Sequence, residues 1–396
     1  MRGSGRRVVI VDGVRTPFVK SGTRFENVPA QELGRAALRE LLDRTGVDPG
    51  ALDEVILGNI AGPADATNIA RVVALKAGVP ATVPAYTVNR NCASGMQSLV
   101  DAALRIEAGR ADLVAAGGTE SMSMVPMMGN KIALNQAVFA NNEHVGIAYG
   151  MGITAENVAK QWKVTREEQD TFAAASHAKA GAAIAAGKFK DEILPYEIDA
   201  SVPDLASGAI KHKKKLAEND EGPRLDTTID TLAKLRTVFA AKGSVTAGNS
   251  SQMSDGAGAV ILMSEKALKK YNVQPLARFV SFAVAGVPPE IMGIGPIKAI
   301  PKVLAQAGIK QDDLDWIELN EAFAAQALAV TKDLGLNPAK INPQGGAIAL
   351  GHPLGATGAL RVATLVHGMR REKQKWGMVT MCIGTGMGAA GLFEAL

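Results

Sequence analysis

The residues able to do chemistry in this sequence are few and far apart. Cys92 and Cys382 are its only cysteines, while His352 and Asn320 stand in runs of unusual composition. Cys92 sits in N-R-N-C-A-S-G, behind the β-prone run Ala85 to Val88 and ahead of Ala93 to Ile106, which has helical spacing. A cysteine at such a strand-to-helix turn lies near backbone N–H groups and the positive end of the helix dipole. Both favour thiolate over thiol and turn a weak nucleophile into a strong one. The plain alternative for a single cysteine is a small buried core residue. Cys382 ends a second apparent strand, Met378 to Cys382, and enters a glycine turn. His352 is held between Gly351 and Pro353, unlike a histidine on an apolar helix face, and reads as either a general base or a structural group. Asn320 follows the run Trp316 to Leu319 and, taken alone, reads as a helix cap.

Two glycine runs surround these groups: G-G-A-I-A-L-G-H-P-L-G-A-T-G from Gly345, and I-G-T-G-M-G-A-A-G from Ile383. Gly386, Gly388 and Gly391 meet the spacing of a dinucleotide fingerprint. Only five residues follow, which leaves room for neither the helix nor the acidic residue that such a site needs. No Lys-Ser/Thr pair makes the first run a phosphate-binding loop. Glycine in both runs serves close approach of backbone to a ligand or to other backbone.

The elements that must position these residues alternate between strand and helix. Strand-like Val8 to Val11, Glu54 to Leu57 and Asp112 to Ala116, the last closed by Gly117 and Gly118, are interleaved with helical Glu32 to Asp43, Asn68 to Ala77 and the helix behind Cys92. The pattern then begins again. Ala277 to Ala285 is strand-like and Ile300 to Ala307 helix-like, and Leu314 to Leu319 aligns without gaps on Leu52 to Leu57. A helix from Ala322 to Leu334 and another after Gly355 complete the second copy. The expectation is an α/β protein of two duplicated units, with ligands gathering beyond the carboxyl ends of the strands. Between Ser121 and about Lys242 the rhythm breaks, apart from the helical stretch Thr165 to Ala186. Gly256 to Met263 then supplies a final strand of the first unit, so the irregular region is an insertion over the sheet. The expected division is 1–120 plus 245–270, a covering segment 121–244, and 271–396.

Composition excludes several classes. At 396 residues with 47% hydrophobic and 21% charged side chains, the chain can bury more than one ordinary core. Aromatic residues are only 4%, and the net charge of +4 has one dense patch, Lys211, His212, Lys213, Lys214 and Lys215, without a basic helix. Nucleic-acid binding is therefore not expected; the patch is a solvated loop or a site for cofactor phosphates. No Cys/His cluster points to a metal, and no apolar run approaches membrane-spanning length. Val8 begins a strand too early for a leader, so a reducing, cytoplasmic setting is expected.

Across essentially its full length the sequence resembles the thiolase family. The matching stretches are V-N-R-N-C-A-S-G-M-Q around Cys92, T-A-G-N-S-S from Thr246, N-E-A-F-A from Asn320, the glycine run around His352, and C-I-G-T-G-M-G from Cys382. Several spaced motifs in the right order are far more specific than any one glycine pattern. The resemblance implies a thiolase-like fold of duplicated α/β units packed face to face in layers with an inserted loop domain, assembled as homodimers or homotetramers. It implies Cys92 as acyl-accepting nucleophile activated by His352, and Cys382 as general acid/base. It also implies one oxyanion hole from His352 with a water held by Asn320, and a second from the N–H groups of Cys92 and Gly384. No cofactor is held permanently and no metal is needed; coenzyme A and acyl-CoA are the substrates. By the same resemblance Ser251 and Ala247 border the pantetheine arm, Phe239, Met292, Ala322, Phe323 and Met151 line its sulfur end, and Arg224 reaches the nucleotide.

The implied reaction is coenzyme A-dependent cleavage of a 3-ketoacyl-CoA or, in reverse, condensation of two acetyl-CoA molecules. Thiolases of the acetoacetyl-forming type usually carry Tyr-His-Met-Gly in the covering loop. Here Tyr149, Gly150, Met151 and Gly152 occupy those places, and loss of the histidine's bulk leans towards a broader 3-ketoacyl-CoA thiolase. A decarboxylating ketoacyl synthase would need a second histidine where Cys382 stands. A non-catalytic acyl-CoA or lipid carrier would have no need of Cys92, His352 and Cys382.

Overall fold

The computed structural model describes residues 7–126, 137 and 150–396; His144 and Tyr149 lie outside the described residues. Its centre is one ten-stranded sheet. In the first half, β1 (Val8–Arg15), β2 (Glu54–Gly58), β3 (Ala85–Val88), β4 (Leu113–Ser121) and β5 (Ser254–Ser264) stand in the order β1-β5-β4-β2-β3. The second half places β6 (Ala277–Gly286), β7 (Trp316–Leu319), β8 (Trp376–Ile383) and β9 (Met387–Ala395) in the order β6-β9-β8-β7. Both halves repeat the same sequence of pairings. The first two are antiparallel and the next is parallel, as a duplicated unit requires. The halves join edge to edge at two positions only, Val9 with Arg278 and Ile10 with Ala277.

Five layers result. Helices α1 (Ala30–Thr45) and α2 (Ile69–Lys76) cover the outer face of the first half, with Leu33, Leu38 and Ile69 fully buried against Val55 and Ile261. On the second half, α6 (Gly295–Ala307) and α7 (Ala324–Leu334) do the same. Between the inner faces lie α3 (Ser94–Glu107) and α8 (Thr357–Glu372), which share one core with both halves through Met96, Leu99, Val114, Val362, Met381 and Phe393. The helices touch backbone to backbone at their first turns. A Cβ on Gly358 would stand 2.3 Å from the Met96 nitrogen, and one on Gly95 would stand 2.9 Å from Ala359 N and Gly355 O.

The glycines correct two expectations. Gly117 and Gly118 do not close a strand but lie inside β4, where Cβ atoms would meet Gly258 O at 2.2 Å and Gly355 O at 2.6 Å. Likewise Met378 to Cys382 belongs to the penultimate strand. The glycine run after it turns only at Thr385 and Gly386, whose φ angles are 69° and 91°, and continues as β9. Small residues there serve close packing; a Cβ on Gly388 would collide with Gly295.

The insertion carries α4 (Met151–Gln161) and α5 (Arg166–Ala185), the latter opened by a capping box between Thr165 and Glu168. It is fastened through Arg15 at the end of β1. This fully buried guanidinium meets Glu192 Oε1 at 2.5 Å and both oxygens of Asp220 at 2.8 and 3.0 Å. The lysine patch lies on small exposed hairpins of the same region, with Lys211 paired to Asp204 and Lys214 to Glu197. No described helix is long and apolar enough to cross a membrane.

Gly358→Ala is expected to cost about 1–3 kcal/mol through overpacking at the α3–α8 contact. Urea unfolding measures this, and an unchanged midpoint would mean that the two backbones do not touch.

Candidate active site

The two glycine-bearing helix starts set the site. Cys92 immediately precedes α3, in a turn tightened by Arg90 N donating to Ser94 Oγ (2.8 Å) and Ser94 Oγ donating to Asn91 O (2.6 Å). Asn91 takes a left-handed φ of 45° and sends its Nδ2 to Gly384 O at 2.9 Å, which ties the Cys92 turn to the turn after Cys382. His352 follows Gly351, whose φ of 122° suits only glycine, and stands five residues before α8. Its own N–H donates to Gln252 O at 3.1 Å. Cys92, His352, Cys382 and Gly384 therefore line one cavity of about 450 Å³, together with Met151, Phe239, Ser251, Met292, Ala322 and Phe323.

Asn320 lies behind this wall, buried, with Nδ2 3.4 Å from His352 Nε2. On the other side of the ring, Nδ1 stands 2.6 Å from the buried Thr357 Oγ1. With the Asn320 amide as donor, Nε2 is the acceptor and Nδ1 carries the proton to Thr357, so the ring presents a basic nitrogen on the cavity side. Asn320 Oδ1 is buried with no hydrogen-bond partner among the described residues, the polar atom through which a bound water would be held. Arg224 and Ala247 are exposed and are not among the lining residues. The Arg224 backbone N–H donates to His177 Nδ1 at 3.1 Å.

Burial decides the electrostatics. It pushes the Cys92 thiol up to about 11, even though the N–H groups of Gly384 and of Cys92 itself pull the other way; the charge of Glu120 adds to the rise. Cys382 is raised by burial and by the neighbouring Cys92 sulfur. His352 is brought down to about 3 by burial and by the nearby Arg361 guanidinium. The expectation of a resting thiolate is thus corrected. A helix start and two amides offset only part of what removal from water costs an anion. The arrangement holds a neutral thiol beside a neutral imidazole, a second thiol and a pair of N–H donors. Such a set can pass a proton from sulfur to ring as a carbonyl is attacked, and can stabilise the oxyanion that forms.

Several residues of the site were given no role in the sequence reading. Asn91, which lines the cavity, stands inside the Cys92 motif, and Thr357, behind the His352 ring, stands inside the glycine run, where no local signal marks its contact. Ile60 and Met122 follow the ends of β2 and β4, where ligands of open sheets gather. Met253 and Leu354 gave no signal of their own.

Comparison with known proteins gives a consistent result. Residues 8–266 match the family model "Thiolase, N-terminal domain" and residues 273–395 match "Thiolase, C-terminal domain". The chain is 48% identical over 393 residues to a 3-ketoacyl-CoA thiolase of Bacillus subtilis, covering 98% of this chain and 99% of that one. It is 46% identical over 393 residues to an acetyl-CoA acetyltransferase of Pseudomonas aeruginosa, covering 97% and 98%. The crystal structure of human mitochondrial 3-ketoacyl-CoA thiolase in complex with CoA superposes with a TM-score of 0.88 at 41% identity, covering 99% of this chain and 98% of that one.

With the Cys92 thiol raised above its ordinary value, its alkylation by iodoacetamide should quicken about tenfold per pH unit from pH 7 to 10, with no plateau. Peptide mapping of the labelled cysteine reads the rate, and levelling off below pH 8 would reveal a resting thiolate.

Proposed function

The chain belongs to the thiolase family, and on that premise we propose that it cleaves 3-ketoacyl-CoA with coenzyme A, giving acetyl-CoA and a shortened acyl-CoA. Cys92 Sγ attacks the 3-keto carbon while its proton passes to His352 Nε2. The bond between C2 and C3 breaks, and the departing acetyl-CoA enolate takes a proton at C2 from Cys382. The incoming coenzyme A thiol then gives its proton to Cys382 as its sulfur attacks the acyl-Cys92 thioester, and Cys92 leaves to recover its proton from His352. His352 with a water held by Asn320 would face the enolate oxygen, and the N–H groups of Cys92 and Gly384 the acyl-enzyme oxygen. One observation carries this reading: two thiols and one imidazole from both halves of the chain line a single cavity.

That wall is largely apolar, with Met122, Met151, Met253, Met292, Phe239 and Phe323, which suits an acyl chain and the end of the pantetheine arm. At Gly150 a Cβ would meet nothing within 4 Å among the described residues, and this open side supports acyl chains longer than acetoacetyl. Coenzyme A is too long for the cavity. Ala247 and Arg224, outside it, are our proposed contacts for the remaining pantetheine and the nucleotide, under the covering segment 121–244. A cytoplasmic role in fatty-acid metabolism as a homodimer or homotetramer fits two free thiols and the unpaired edge of β3.

Cys92→Ser should abolish acyl-enzyme formation. Cys382→Ser should still be acylated by acyl-CoA yet lose about 10²–10⁴ in thiolytic kcat. Intact-protein mass spectrometry and the thiolysis rate read both, and an acylated Cys92→Ser protein would overturn the assignment. Thiolysis of a long-chain 3-ketoacyl-CoA should proceed alongside that of acetoacetyl-CoA. Turnover of the four-carbon substrate alone would make the protein an acetyl-CoA C-acetyltransferase.

A further inference from the structure

Glu120, at the end of β4, is a carboxylate that the proposed chemistry does not use, yet it is buried and adjoins the cavity wall. Four N–H groups converge on it. Oε1 accepts from Asn59 Nδ2 at 2.9 Å and from Ala61 N at 3.1 Å; Oε2 accepts from Ile60 N at 3.0 Å and from Gly355 N at 2.9 Å. The first three donors belong to the loop after β2, whose Ile60 lines the cavity. The fourth belongs to the segment between His352 and α8, whose Leu354 does the same. One carboxylate thus spans 235 positions of sequence and ties the loop beside Cys92's half to the loop that carries His352. The fit is close on the glycine side, since a Cβ on Gly355 would stand 2.7 Å from Oε2.

We infer that Glu120 is a positioning residue for the reaction, fixing the His352 loop against the half of the molecule that carries Cys92. This rests on the thiolase reading given above. Only an acceptor with two oxygens and no hydrogen can take all four donors. A glutamine in its place would keep the size but turn an NH2 group towards two N–H donors, so two of the four bonds would be lost whichever way the amide pointed: those of Ile60 and Gly355 in one orientation, those of Asn59 and Ala61 in the other. Burial raises the carboxyl to about 7, while the four donors and their dipoles oppose that rise. Where it is ionised, its charge also pushes the Cys92 thiol up.

Three variants separate position from charge. Glu120→Gln is expected to lower kcat about 10- to 100-fold with the KM for coenzyme A changed less than about threefold, the cost of misplacing a reacting group by a fraction of an ångström to an ångström. Its Cys92 alkylation profile should move to lower pH. Glu120→Asp keeps the charge but is one carbon too short to reach both loops; it should lose kcat comparably while alkylation stays near the parent profile. Asn59→Ala removes one donor and no charge, and should cost about three- to tenfold in kcat even if the Glu120 variants fail to fold. Parent-like kcat in Glu120→Gln, or in Asn59→Ala where the first does not fold, overturns the inference, as does a lowered kcat in Glu120→Gln with an unmoved alkylation profile. Acylation of Cys92 in the parent protein is measured first. Its absence would sink the underlying chemistry, whereas an acylated parent with an indifferent Glu120 sinks only this role.

Discussion

The structure depends on one contact between main chains. The first turns of α3 and α8 meet at Gly95 and Gly358 with no room for a side chain on either. Each helix is preceded by a residue of the site, Cys92 before α3 and His352 before α8, so closing the helix pair also closes the distance between thiol and imidazole. The duplicated fold supplies the symmetry for this. The same helix of each repeat faces inward, and both helix starts point to the same edge of the layers. Cys382 arrives by the remaining route, at the carboxyl end of β8 beside its parallel neighbour β7.

The same closure explains why the site is uncharged at rest. Bringing three titratable groups together between two packed halves removes water from all of them, and each shifts towards its neutral form. Charge then develops only while bonds change, in surroundings where fixed dipoles count for more than they would in water. The link from Asn91 to Gly384 matters in this respect, because it holds in register the two amides that face the Cys92 sulfur.

Much of this was legible in the sequence where the signal was local. The run Ala85 to Val88 coincides with β3, the helical stretch Thr165 to Ala186 spans α5 and its two caps, and the gapless match of Leu314–Leu319 to Leu52–Leu57 falls on equivalent strands, β7 and β2. The thiolase resemblance came from motifs that are each contiguous, and the family comparison bears it out. Failures arose where a residue answers to something distant. Gly117 and Gly118 look like turn formers, yet they are small because another backbone passes over them. The protonation of Cys92 could not be read from its helix start, since the opposing effect of burial comes from the whole fold. Nor could sequence reveal that Thr357 partners His352, or that Glu120 takes donors from both halves.

Arg15 bears on how a long thioester gets in. The guanidinium is anchored to Glu192 and Asp220 of the insertion and packed over Phe18 and Phe189, fully buried. Lifting that segment away would break the ion pairs of a buried triad together with the ring contacts of its guanidinium, a penalty of several kcal/mol. The part of the insertion that carries Glu192 and Asp220 is therefore a fixed roof rather than a hinged one. Traffic must pass lengthwise through a doorway, past the flexible thioether of Met253, which is 65% exposed.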